Sequence, residues 1–147
     1  MKKAESYHIP DSLEMQWLAL SLVSGLGYRS IQRLLDSGKT LADMLQATPG
    51  ALIRDLGIKA ELARKISSAA HASGYLMEKR LLQESPEIRL YCPESEAYPL
   101  QLKEIESPPG VLYWKGIEGL AEQPCLAFVG SRACSGYGLK HTKRLIH

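Results

Sequence analysis

Apolar residues recur at helical spacing through the first half of the chain and collect into short runs in the second. Leu13, Trp17, Leu20 and Val23 form one stripe, and Asp11-x-x-Glu14 resembles a capping box opening that helix. Gly25-Leu26-Gly27 ends it, and a second helix follows with Ile31, Leu34 and Leu35 on one side. Thr40 is expected to cap a short helix through Ala42, Met44 and Leu45. Thr48-Pro49 reads as another start, because proline is tolerated in a first turn. A long helix is expected from near Ala60 toward Gln83, with Leu62, Ile66, Ala69, Ala70, Ser73 and Met77 inward and Gly74 where it would break or bend.

Past the linker-like Glu84 to Pro86 the pattern changes. Glu87 to Cys92 is short and β-compatible, and a helix is expected from about Pro99. The proline pair Pro108-Pro109 precedes a strand at Val111 to Lys115 that ends at Gly116. Leu126 to Val129 is apolar at every position, as in the buried middle of a parallel sheet. A helix beginning near Gly138 would contribute Leu139, Leu145 and Ile146. Strand, small-residue loop and helix are the start of a βαβ unit. The expected fold class is therefore α plus α/β, with a helical domain over residues 1–86 and an α/β part over 87–147.

A weak repeat lies in the helical half. Leu22 to Ser30 (LVSGLGYRS) aligns with Leu52 to Ala60 (LIRDLGIKA), thirty residues on. Each has two aliphatics, then Leu-Gly, then a basic residue, Arg29 or Lys59. The pattern resembles a helix-hairpin-helix motif, in which glycines expose backbone N–H groups to phosphate oxygens at a helix N-terminus. Gly25, Gly27 and Arg29 are the candidate contacts. The second copy is poorer, since Asp55 replaces the first glycine. The plainer alternative is that Leu-Gly only turns one helix into the next.

Composition adds little until charge is mapped along the chain. Of 147 residues, 45% are hydrophobic, enough for one ordinary domain or two small ones, and the net charge is only +2. Yet residues 132–147 carry four basic side chains and no acid. Positive charge is thus local to the closing loop and helix, as where anions bind. Cys92, Cys125 and Cys134 show no C-x-x-C spacing, which argues against zinc. The N-terminus lacks the apolar core of a signal peptide, and no run reaches the roughly 20 apolar residues of a membrane span. A reducing, cytoplasmic setting is expected, with no metal and no membrane contact.

The loop after Val129 is neither G-x-G-x-x-G nor a Walker loop, because Arg132 stands where the second glycine would fall and the Gly-Lys pair is absent. Its small residues Gly130, Ser131, Ser135, Gly136 and Gly138 still let a phosphate approach the backbone. Ser131 and Ser135 offer hydroxyls, and Arg132 a bidentate fork. Lys140 and Arg144 are four apart and share a helix face; with Lys143 they form either an anion-binding surface or a solvated face. Tyr137 could stack on a base or pack against a sheet edge. Cys134 reads as a small filler, and Trp17 and Trp114 as core or partly buried anchors rather than base platforms. His8, His71, His141 and His147 are scattered, and no catalytic set is visible.

Three segments together resemble the DNA-processing protein A family (DprA, also called Smf). They are Tyr98-Pro99 with Leu102; Pro108-Pro109 with Leu112-Tyr113 and Gly116; and Val129 through Gly138. The resemblance implies a sterile-alpha-motif-like (SAM-like) or helix-hairpin-helix module followed by the first part of an extended Rossmann-like fold. It also implies that the chain covers only the N-terminal portion of a family member. It further implies a non-enzymatic, cofactor-free protein that binds incoming single-stranded DNA in natural transformation, protects it and helps load the RecA recombinase. A homodimer is expected for the full-length protein. The competing class is a Rossmann-like enzyme or sensor that takes a nucleotide or small phosphorylated ligand at the same loop.

Overall fold

The computed structural model describes residues 10–146. Six helices come first: α1 (Leu13–Ser21), α2 (Tyr28–Asp36), α3 (Leu41–Gln46), α4 (Pro49–Leu56), α5 (Ala60–Ser67) and α6 (Ser73–Glu84). They are followed by β1 (Ile88–Tyr91), the short α7 (Leu100–Lys103), β2 (Leu112–Lys115) and α8 (Gly136–Ile146). The protein is α plus β, mainly helical with one small sheet.

Local chemistry accounts for most of the helix starts. Thr40 caps α3 in a reciprocal box with Asp43, and those bonds from Thr40 hold the Asp43 carboxyl below the usual range. Thr48 caps α4 with Pro49 in the first turn, as expected. The expected capping box at Asp11 and Glu14 is not formed. Ser12 is the cap, its Oγ accepting the Met15 N–H at 3.3 Å, while the Glu14 carboxylate accepts instead from the Ser95 hydroxyl.

The long helix from Ala60 is also corrected. It breaks between Ser68 and Ala72, not at Gly74. The Ser68 hydroxyl turns back to the Arg64 and Lys65 carbonyls, and Ala72 is extended. The break shifts the helical phase. Ile66 and Ala69 are buried as expected, but Ser73 and Met77 (58% exposed) face out and Tyr75 faces in.

β1 and β2 pair antiparallel, Ile88 opposite Lys115 and Tyr91 opposite Leu112. The expected apolar strand at Leu126 to Val129 is absent: the segment has no regular secondary structure and no strand partner, with Leu126 88% and Val129 94% exposed. An apolar run becomes a strand only when a neighbour takes its backbone bonds. Among the described residues β1 and β2 pair only with each other, and no parallel βαβ unit forms.

The core runs across both halves of the chain. Trp17, Leu20, Ile31, Met44 and Ile66 cluster with Cys92, and Leu90 and Val111 pack against them. The Trp17 ring stacks on Tyr28 with centroids 5.8 Å apart, and its Nε1–H donates to Glu94 at 2.6 Å. Buried Tyr98 donates to the Pro109 carbonyl at 2.7 Å, fixing the loop that lays Gly110 against Trp17. Tyr113 donates to Glu78 at 3.0 Å, joining β2 to α6.

Two glycines separate packing from backbone strain. A Cβ at Gly110 would sit 2.8 Å from the Trp17 ring. Gly110→Ala is expected to cost about 1–3 kcal/mol by overpacking and to change Trp17 fluorescence in a Trp114→Phe background. Gly25 has φ +91° and open space around it. Gly25→Ala should cost about 1–2 kcal/mol in thermal unfolding with Trp17 emission unchanged.

Burial, then the bond to Glu78, pushes the Tyr113 phenol up to about 12. A raised folded value means that this contribution is complete below the unfolded value of about 10 and is lost as pH rises from there through about 12. Absorbance titration of Glu78→Gln should show Tyr113 ionising at lower pH than in the parent chain.

Candidate functional site

The loop and α8 are built from local bonds rather than burial. Ser135 caps α8: its Oγ accepts the Gly138 N–H at 3.2 Å, and its carbonyl accepts the Leu139 N–H at 3.0 Å. The helix thus starts at Gly136, two residues earlier than its expected start near Gly138. Ser131 Oγ accepts the Ala133 N–H at 3.2 Å and folds the loop back on itself. Both hydroxyls keep a proton to donate, and the first-turn N–H groups of Gly136 and Tyr137 have no acceptor within the helix. A cavity of about 310 Å³ lies between loop and helix, lined by Phe128, Gly130, Ser131, Cys134, Leu139 and Thr142.

Of the expected loop residues, Gly130, Ser131 and Gly138 line that cavity, and Ser135, Gly136 and Tyr137 are exposed. Arg132, Lys140, Lys143 and Arg144 are exposed, and none has an ion pair among the described residues. Elsewhere Arg29, Lys39, Arg54, Lys65, Arg80, Arg89 and Lys115 are each paired with a carboxylate. Tyr137 does not lie on a sheet edge. It is 74% exposed, with its ring tilted over His141 at 4.0 Å between centroids.

The hairpin residues behave differently. Gly25 takes the left-handed turn and Gly27 caps α2, but Arg29 is held by Glu106 from the loop before Gly110. In the second hairpin the positive φ sits at Gly57 rather than at the position matching Gly25. Both repeats are helix–turn–helix units, yet their turns are not equivalent.

Cys134 and Cys125 are exposed free thiols, whereas Cys92 is buried, its thiol pushed up by burial. Trp17 is a core anchor and Trp114 is half-buried, as expected. No cluster of metal-ligating side chains occurs among the described residues, and no described helix is long and apolar enough to cross a membrane. His8 and His147 lie outside the described residues. Two features escaped the sequence reading: Ser135 as a helix cap, for which serine directly before the helix is the signal, and the Arg29–Glu106 pair, for which there is none.

Residues 89–147 match the model of the DNA recombination-mediator protein A family. The chain is 29% identical over 140 residues to Protein Smf of Synechocystis sp., an alignment covering 92% of this chain and 35% of that protein. It is 29% identical over 125 residues to DNA processing protein DprA of Streptococcus pneumoniae, covering 84% of this chain and 41% of that one. The chain thus spans between a third and a half of the length of these curated relatives. No solved structure matches.

Because α8 buries none of its residues, its first turn should depend on its cap. Ser135→Ala is expected to cost the helix about 1 kcal/mol. Amide exchange should then speed up from Gly138 through His141 while the core amides near Trp17 stay protected.

Proposed function

We propose that this chain, similar over residues 89–147 to the DNA recombination-mediator protein A family and 29% identical to Smf and DprA relatives, is a member of the DprA/Smf family and binds single-stranded DNA through the Gly130–Gly138 loop and the start of α8. The observation that carries the proposal is the run of cations without an ion pair among the described residues, Arg132 in the loop and Lys140, Lys143 and Arg144 along α8 to its last turn, following a capped helix N-terminus. Phosphate oxygens would accept from the Gly136 and Tyr137 N–H groups, the Ser131 and Ser135 hydroxyls and the Arg132 fork. Tyr137, mostly exposed, would offer a face to a base. Such contacts hold the backbone and carry little base information.

The finer parts of the proposal rest on the family resemblance: the SAM-like and Rossmann-like character of the two parts divided near residue 86, a non-catalytic role in DNA recombination and natural transformation, loading of RecA, a homodimer, and a cytoplasmic setting. Among the hairpin residues, Gly25 and Gly27 would contribute backbone contacts and Arg29 little, since Glu106 already holds it.

Titration with a fluorescein-labelled dT oligomer tests the site. Arg132→Ala should weaken binding about equally for different base compositions and make the slope of log affinity against log salt shallower by about 0.7. Arg29→Ala should have the smaller effect. Unchanged affinity in folded Arg132→Ala would remove the loop from the DNA site. Equal affinity for a mononucleotide would favour a small phosphorylated ligand there.

A further inference from the structure

The two helix–turn–helix units meet at a second cavity, of about 210 Å³, remote in sequence from the loop and α8. Its floor is aliphatic: Leu26, Leu34, Leu56, Ile58 and Ile66. Leu26, Leu34 and Ile66 are core residues, and Leu56 and Ile58 pack against that core, so the floor is held in place from behind. The rim is cationic. Arg33 of α2 lines the mouth, exposed and without a bonded partner among the described residues. Asp55 also lines it, but Lys39 and Arg54 both bond its carboxylate and, Lys39 foremost, hold it below the usual range. That acid is already answered twice and does not neutralise Arg33. Lys59 adjoins Ile58 and is exposed; Asp36, one turn along α2 from Arg33, is the other nearby acid.

We propose that this cavity docks an acidic peptide of a partner protein, seating one bulky apolar side chain on the aliphatic floor while Arg33 pairs with a neighbouring carboxylate. The volume is below the roughly 300–1,000 Å³ of small-molecule sites and suits a single large side chain. The lining holds no aromatic ring on which a nucleobase could stack, which sets it apart from a single-strand DNA platform. A positive rim around an apolar seat is complementary to an acidic segment with one apolar anchor. The site shares no residue with the Gly130–Gly138 loop, and although its Leu26 lies between the hairpin glycines Gly25 and Gly27, loss of the loop site by Arg132→Ala leaves the cavity lining intact, so the two are tested separately.

The test is fluorescence anisotropy on the whole chain with a labelled synthetic peptide of six aspartates ending in phenylalanine. Binding is expected with a dissociation constant on the order of 10–100 μM. Changing the phenylalanine to serine, or the aspartates to asparagines, should weaken it at least ~10-fold. Arg33→Glu should do the same, and so should Ser30→Met, which fills the cavity and leaves the rim charge intact, with circular dichroism confirming that both variants fold. Arg132→Ala should leave peptide binding unchanged. No binding at millimolar peptide would overturn the proposal, as would binding that ignores the phenylalanine or survives both variants. Displacement of the peptide by a dT oligomer from an Arg132→Ala chain would overturn it in favour of nucleic acid.

Discussion

Trp17 lies where three segments distant in sequence converge. Its ring stacks on Tyr28 of α2, its Nε1–H donates to Glu94 in the turn after β1, and the Gly110 backbone presses on its face. A large ring with no exposed surface and a satisfied donor leaves its neighbours little freedom. Tyr98 and Pro109 hold the Gly110 loop in place, and the same loop supplies Glu106 to Arg29. The position of the first hairpin and the neutralisation of its arginine both trace back to this contact. Tyr98-Pro99 and Pro108-Pro109 are thereby explained as packing rather than chemistry.

Charge is distributed by the same logic. Where tertiary contacts bring carboxylates near, cations are paired: Arg89 with Glu118, Lys115 with Glu87, Lys39 and Arg54 with Asp55. Exposed pairs of this kind contribute little to stability, but they remove charge from the surface available to an anion. Cations without an ion pair among the described residues include Arg64, Lys79 and Lys103, but they come closest together in sequence in the loop with α8, and one, Arg33, lines the inter-hairpin cavity. The first is polar and backed by helix N–H groups; the second is aliphatic and backed by core. That difference in backing is the ground for proposing a phosphate-holding role for the first and a peptide-docking role for the second.

The loop and α8 have little tertiary support. Every apolar side chain from Leu126 to Val129 is exposed, and α8 buries none of its residues. Their order rests on caps and turns, Ser135 to Gly138 and Ser131 to Ala133, each contributing about 1 kcal/mol or less. A loop of this kind can adjust to a phosphate backbone at small cost, and it pairs naturally with binding that does not read sequence.

The chain's own residues determined the helix starts at Thr40 and Thr48, both strands of the sheet, the core roles of Trp17, Leu20 and Ile66, and the cluster of cations past Arg132. Each of these follows from interactions within a few residues or from simple periodicity. Tertiary structure decided the rest. The break at Ser68 is the exception, a local one: its hydroxyl bonds carbonyls of its own turn, and the break turns Tyr75 in and leaves Met77 out. Whether Leu126 to Val129 became a strand depended on a neighbour, which apolar composition alone cannot supply. Arg29 and Arg33 look alike in sequence, both on α2 beside the first hairpin, but Glu106 from nearly eighty residues away holds one and leaves the other open. Long-range pairing of that kind has no local signal, because it exists only once Trp17 and Gly110 have brought the two segments together.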